Sequence, residues 1–207
     1  PGWHATIFAP YFVAGAIFSG VGMVITLTVP LRKIFGLEAY LTTKHFDAMA
    51  KLCLLTSMIV LYAYLSEFFM AWYSGEEIER TAFWNRLFGD YWWATWTMLT
   101  CNGLVPVMLW FKRVLHSIPA LFVISIFINI GMWFERFVIV VTSLHHEYEP
   151  FAWGIYRPST TEMMIMVGSF AWFGFWFLLF TRLIPPIAIQ ELKEVMPPPM
   201  RKQKEAH

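Results

Sequence analysis

Three charged side chains interrupt runs that are otherwise apolar: Glu67 in "LYAYLSEFFMAWY", and Glu135 and Arg136 in "INIGMWFERFVIVV". A charge held in hydrocarbon costs from about 2.5 to more than 10 kcal/mol, so such groups face the interior of a bundle, pair with one another or carry protons and ions. Neighbouring residues on a helix point about 100° apart, and Glu135 and Arg136 therefore face one another poorly. Glu67 lies about six residues from the end of its run and Arg136 about eight from the end of its own, which puts them at similar depth. This predicts an interhelical Glu67–Arg136 pair. One arginine cannot neutralise two buried carboxylates without help from hydrogen bonds or a proton. Glu135 is then the carboxyl left to carry a proton, with Tyr64, Ser66 and Thr142 as bridging hydroxyls.

At the other end of the Glu67 run, "TTKHFDAMAKL" offers His45, Asp47 and Lys51 as a proton mouth, with Asp47 and Lys51 on one helical face. The proton-path candidates are thus Glu135, Glu67, Arg136, Asp47, His45, Tyr64 and Lys51. No catalytic residue and no metal ligand set is expected. A plainer reading stands beside this one: intramembrane ion pairs also fix helix register, and helix starts routinely carry solvated Lys and Asp.

Five apolar runs must position these residues. The chain is 58% hydrophobic and only 14% charged, against roughly a quarter charged in soluble domains, which is a membrane composition. About 20 apolar residues cross the hydrocarbon core, and residues 7–29, 48–73, 91–111, 118–144 and 163–184 qualify. All five are predicted to be helices, since the runs are too long for barrel strands and do not alternate. The expected fold class is an all-α integral membrane protein, with one membrane domain over 1–189 and a Pro-rich, basic tail over 190–207. In "AGAIFSGVG", Gly15, Ser19 and Gly22 form a stripe on which another helix can pack closely.

The sign of the connections alternates. Arg32, Lys33 and Lys44 follow the first run, Lys112, Arg113 and His116 the third, and Arg182, Lys193, Arg201, Lys202 and Lys204 the fifth. The intervening connections are rich in Glu. The positive-inside rule then puts the N-terminus outside and the C-terminus in the cytoplasm. Fifteen basic residues nearly balance 14 acidic ones, so no net charge points to nucleic acid. The start at Pro1 has neither the basic nor the cleavage region of a signal peptide, and the chain is expected to be part of a longer protein.

Cys53 and Cys101 fall inside apolar runs without metal-ligand spacing and read as small buried hydrophobes. Haem between two histidines is not expected, because His4, His145 and His146 fall at one rim and His45 and His116 at the other. In the third run Thr95, Thr97, Thr100, Cys101 and Asn102 precede Pro106, which opens the backbone ladder. Packing and a local kink are expected there, not a site. Trp84, Trp92, Trp93 and Trp153 gather toward the outer ends, where amphipathic rings favour the interface. The aromatic, acidic outer connections can also seat an external subunit.

Two stretches, "PGWHATIFAPYFVAGAIFSG" and "NIGMWFERFVIVVTSLHHEYEP", resemble the later half of the NrfD / polysulfide reductase membrane subunit family, and most of all the membrane subunits of bacterial alternative complex III. The resemblance covers nearly the whole chain. It implies a ten-helix subunit of two four-helix bundles plus two flanking helices, of which this chain holds helices six to ten. It further implies a respiratory electron-transport complex of the bacterial inner membrane that oxidises quinol or menaquinol near the outer surface. Electrons would leave through iron–sulfur clusters and c-type haems on partner subunits to cytochrome c or cupredoxin-type acceptors. An iron–sulfur protein, cytochrome c subunits and a homologous NrfD-like membrane subunit are the implied partners, and no cofactor is bound by this chain itself. The family's quinol site belongs mainly to the first bundle, so no quinol ligand can be carried over. The second bundle, the half proposed to move protons, is where Glu67, Glu135, Arg136 and Asp47 fall. A quinone-linked anchor of a molybdopterin or polysulfide reductase complex, and a purely structural half, are the alternatives.

Overall fold

A computed structural model describes residues 6–145, 151 and 154–184. The described residues contain eight α-helical segments and no strand. These are α1 (Phe8–Ile34), α2 (Thr43–Tyr73), α3 (Glu77–Phe88), α4 (Trp92–Leu99), α5 (Val105–Val107), α6 (Lys112–Leu115), α7 (Ile118–His145) and α8 (Thr160–Leu183). Four of them, α1, α2, α7 and α8, are long and apolar enough to cross a membrane. The third expected span is present as a composite: α4 runs into a π-helical turn at Thr100–Leu104, then α5, then a 3-10 turn at Met108–Trp110. Pro106 accounts for the break. It has no N–H to return to the carbonyl of Asn102, and its ring crowds the preceding turn, so the ladder shifts register there.

The chain divides into two units, Pro1–Tyr156 and Arg157–His207. In the first, α1 packs on α2 and α7, while the α4–π–α5 composite packs on α7 and α2, closing a four-membered bundle. Gly15 and Gly22 are buried on the α1 face that meets α7, as the small-residue stripe predicts: a Cβ at Gly15 would lie 3.3 Å from Met132 Cε, and one at Gly22 would lie 3.0 Å from Ile128 Cγ2. Lipid tails are as apolar as leucine, so this close packing, not escape from water, holds such helices together. Two apolar clusters fill the bundle. One, with Phe18, Ile25, Phe46, Leu121 and Ile128, lies toward the α1–α2 connection. The other, with Tyr11, Val60, Tyr64, Met98 and Val138, lies toward the opposite end. The bundle's polar residues sit between and beside these clusters.

One element was not expected. The segment "EIERTAFWNRLF" after α2 reads as a charged connection, yet it forms the 12-residue helix α3. Glu77 and Glu79 stand in its first turn and Arg86 in its last, matching the helix dipole at both ends. Gly75, at φ 73°, makes the turn into it, a left-handed conformation that glycine adopts without penalty. In the second unit, α8 begins with a capping box: Ser159 N–H donates to Glu162 Oε2 at 2.6 Å, and Glu162 N–H donates to Ser159 Oγ at 3.3 Å.

Candidate functional site

Glu135 is the most enclosed charged side chain in the bundle, 1% exposed on α7. Its Oε2 accepts a hydrogen bond from the Tyr64 hydroxyl of α2, and one at 3.2 Å from Asn102 Nδ2 of the π-helical turn. Asn102 Nδ2 also reaches the Tyr64 oxygen at 3.0 Å and Met132 Sδ at 3.4 Å. Tyr11 of α1 stands edge-on to Tyr64, ring centroids 5.6 Å apart, and its hydroxyl interacts with both Tyr64 and Glu135. All four helices of the bundle thus contribute to one carboxyl. The other carboxylate oxygen, Oε1, has no hydrogen-bond partner among the described residues and faces Gly15 of α1.

The nearest cation to that oxygen is Arg136, whose Nη2 lies 3.9 Å from Glu135 Oε1. That is about 1 Å longer than a charge-assisted hydrogen bond. The guanidinium instead lies over the Phe12 ring, 3.9 Å from its centroid. The divergence expected of sequence neighbours is visible in this long contact, although the flexible arginine does bend back toward its own neighbour.

The expected Glu67–Arg136 pair does not form. Glu67 pairs with Arg86 of α3, Nη1 to Oε1 at 3.6 Å. Arg86 Nε donates to Thr142 Oγ1 at 3.1 Å, and the guanidinium stacks 4.6 Å from the Phe83 centroid. Equal depth is necessary for a pair but does not fix azimuth: Arg136 points to α1, while Glu67 points to α3. Burial pulls the Arg86 guanidinium below its ordinary range, and the charge of Glu67 opposes that shift. An arginine remains a cation under such a shift. Thr142, expected as a bridge to Glu135, instead holds Arg86. Ser66 lines a groove of about 540 Å³ beside Glu67, together with Tyr62, Phe69, Glu79 and Phe83.

The remaining candidates sit near the α1–α2 connection. Asp47 Oδ2 accepts a hydrogen bond at 2.8 Å from Nδ1 of His116, the residue that caps α6, so its partner is that rim histidine and not Lys51, which is exposed. His45 Nδ1 is 3.0 Å from Thr42 Oγ1. Between this end and Glu135 lies a second hydrogen-bonded group: Asn129 Nδ2 donates to Thr26 Oγ1 at 2.9 Å, and Thr26 Oγ1 donates to Ser125 Oγ at 2.8 Å. Met132 separates it from the carboxyl. Asp47, His45 and Lys51 are therefore not brought into contact with Glu135.

Sequence reasoning missed three participants: Asn102, Arg86 and Tyr11. The sequence predicts only packing at a kink for Asn102, yet the kink is what turns it inward. It sits in the π-helical turn that Pro106 causes, and such turns recur at functional sites. Arg86 lies in a Glu-rich connection that folds as the amphipathic helix α3, whose buried face carries Ala82, Phe83 and Arg86.

The description of a family model, polysulphide reductase, NrfD, matches this chain over residues 1–146. The chain belongs to the NrfD family. NrfD proteins are membrane subunits of quinone-interacting redox complexes and work with iron–sulfur and other redox subunits. In this NrfD chain the matched residues take in every helix of the four-membered bundle and both polar clusters, ending before α8. Comparison with curated proteins gives no significant match.

Proposed function

We propose that this NrfD chain is the proton-carrying half of the membrane subunit of a quinol-oxidising respiratory complex of the alternative complex III type, closest to its ActC subunit, with ActF as the sibling assignment. The observation that carries the proton reading is Glu135: a carboxyl 1% exposed, held on one oxygen by Tyr64 and Asn102, with its nearest cation 3.9 Å away. A purely structural carboxylate in hydrocarbon is expected to have a close, well-aligned cation. This one has hydroxyl and amide partners, which can hold it with or without a proton.

In this reading the membrane complex sits in the bacterial inner membrane with the α2–α3 end outside, which the basic residues of the other connections support. Electrons run on the partners, through iron–sulfur clusters and c-type haems, from quinol or menaquinol to cytochrome c or cupredoxin-type acceptors. The chain's own residues hold and pass a proton: Glu135 stores it, Tyr64 and Asn102 orient the carboxyl, and Glu67 beside the groove exchanges it with the outer side. Asp47 and His116 form the inner mouth, with His45 and Lys51 on the rim.

Glu135→Gln keeps the shape of the side chain and cannot take up a proton. In vesicles carrying the complex, proton uptake is expected to fall about a hundredfold or more, the range for loss of one acid–base group, while quinol oxidation without a proton gradient stays within about twofold. Glu67→Gln is expected to act in the same direction. Unchanged proton-to-electron ratios in both variants would leave a structural scaffold as the reading. Spectra of the purified complex test its type: several c-type haems are expected, whereas a molybdopterin would assign the chain to a reductase anchor.

A further inference from the structure

A small cavity of about 20 Å³ lies between the two polar clusters, lined by Tyr11, Tyr64, Glu67, Arg86 and Thr95 among apolar neighbours. A water needs about 10–15 Å³ of such space and two to four polar partners. The cavity therefore has the volume for one water. Thr95 is fully buried on α4, and its Oγ1 has no hydrogen-bond partner among the described residues. That is unusual in this bundle, because helical threonines ordinarily bond back to a carbonyl one turn earlier. Thr56, Thr97 and Thr142 all do so, to Leu52, Trp93 and Val138 respectively. A buried hydroxyl left without such a bond costs about 1–3 kcal/mol unless something else engages it.

We propose that this cavity is a binding site for a single water molecule, anchored by Thr95 Oγ1, that joins the Glu135–Tyr64–Tyr11 cluster to the Glu67–Arg86 pair. The proposal rests on the proton reading for its function and on geometry alone for the site. The transfer balances without any co-reactant. The Glu135 proton passes to the Tyr64 oxygen as Tyr64 gives its hydroxyl proton to the water, and the water gives one of its own to the Glu67 carboxylate. One proton moves, tyrosine and water end neutral, and rotation of the hydroxyls resets the chain. Arg86, 3.6 Å from Glu67, is close enough to hold that carboxylate ionised before transfer and loosely enough to release it. Thr95 is a positioning residue, since it gives up no proton.

The test uses the intact complex, comparing wild type with Thr95→Val, which keeps the shape, and Thr95→Ser, which keeps the hydroxyl. A high-resolution cryo-EM map is expected to show one water within hydrogen-bond reach of Thr95 Oγ1 in wild type and Thr95→Ser and to lose it in Thr95→Val. Proton uptake in vesicles should slow roughly three- to tenfold in Thr95→Val only, the factor for one hydrogen bond. A wild-type cavity without water, or a water that persists in Thr95→Val, overturns the site. Loss of the water with unchanged uptake, while Glu135→Gln is impaired, overturns its bridging role. If Glu135→Gln itself leaves uptake unchanged, it is the proton reading that falls, and the water site is then decided by the map.

Discussion

Gly131→Ala is expected to destabilise the bundle by about 1–3 kcal/mol or more, the range for overpacking a filled interior, and to cost the protein its Glu135 site as well. A Cβ at Gly131 would lie 2.6 Å from Cys101 Cβ and closer still to Asn102 Oδ1. The Asn102 amide can rotate away, but Cys101 Cβ is fixed to the backbone, so the π-helical turn must retreat from α7. That movement withdraws Asn102 Nδ2 from Glu135, Tyr64 and Met132 together. Gly103→Ala is the matched control, because its Cβ would meet only Leu61 Cδ1, at 3.2 Å, the end of a flexible side chain. Thermal denaturation of the purified complex checks both variants. Gly131→Ala with wild-type stability and wild-type proton uptake would show that the close approach of α7 and the π-helical turn does not matter to the site.

Removing Arg86 is the second large effect. Breaking one partner of a buried pair costs about 3–5 kcal/mol, because the survivor is left uncompensated. Glu67 and Arg86 are not wholly enclosed, with side chains 21% and 10% exposed, so Arg86→Met is expected to fall at or somewhat below that range, at about 2–3 kcal/mol. Arg86 also holds Thr142 and stacks on Phe83, so part of the loss is packing of α3 against the bundle. The double variant Arg86→Met/Glu67→Gln removes the stranded charge and is expected to recover at least about 1 kcal/mol of it. A double variant as unstable as the sum of the two single ones would mean that Glu67 and Arg86 are not coupled. Arg136→Met, by contrast, is expected to leave Glu67 untouched, since Arg136 lies over Phe12 and beside Glu135.

These two residues also mark where the sequence was readable and where it was not. The length and apolarity of the runs dictate α1, α2, α7 and α8, and the spacing of Gly15 and Gly22 finds the α1 face that meets α7. That Glu135 faces the bundle interior follows from the cost of charge in hydrocarbon, but its selection as the leftover carboxyl rested on a Glu67–Arg136 pair that does not form, since Glu67 pairs with Arg86; Tyr64, named as a bridge, does bond it. Partner choice was not readable, because depth along a helix can be counted and azimuth around a bundle cannot. Arg86 reaches Glu67 from a helix hidden in a charged connection whose apolar positions, Ala82 and Phe83, face inward. Asn102 needed a different inference: Pro106 predicts a break, but only the packing of the broken ladder against Gly131 decides which polar side chain it turns toward Glu135.

Glu135 as a carboxyl that gains and loses a proton during turnover is the claim on which the functional account stands. Redox-induced infrared difference spectroscopy of the intact complex addresses it directly, in the carbonyl-stretch region of protonated carboxylic acids. A band is expected that shifts in heavy water, moves on carbon-13 labelling of glutamate, disappears in Glu135→Gln and changes frequency in Tyr64→Phe, which removes the hydroxyl bonded to Oε2. A difference spectrum in which Glu135→Gln is indistinguishable from wild type, in a complex that still oxidises quinol and takes up protons, would contradict the account.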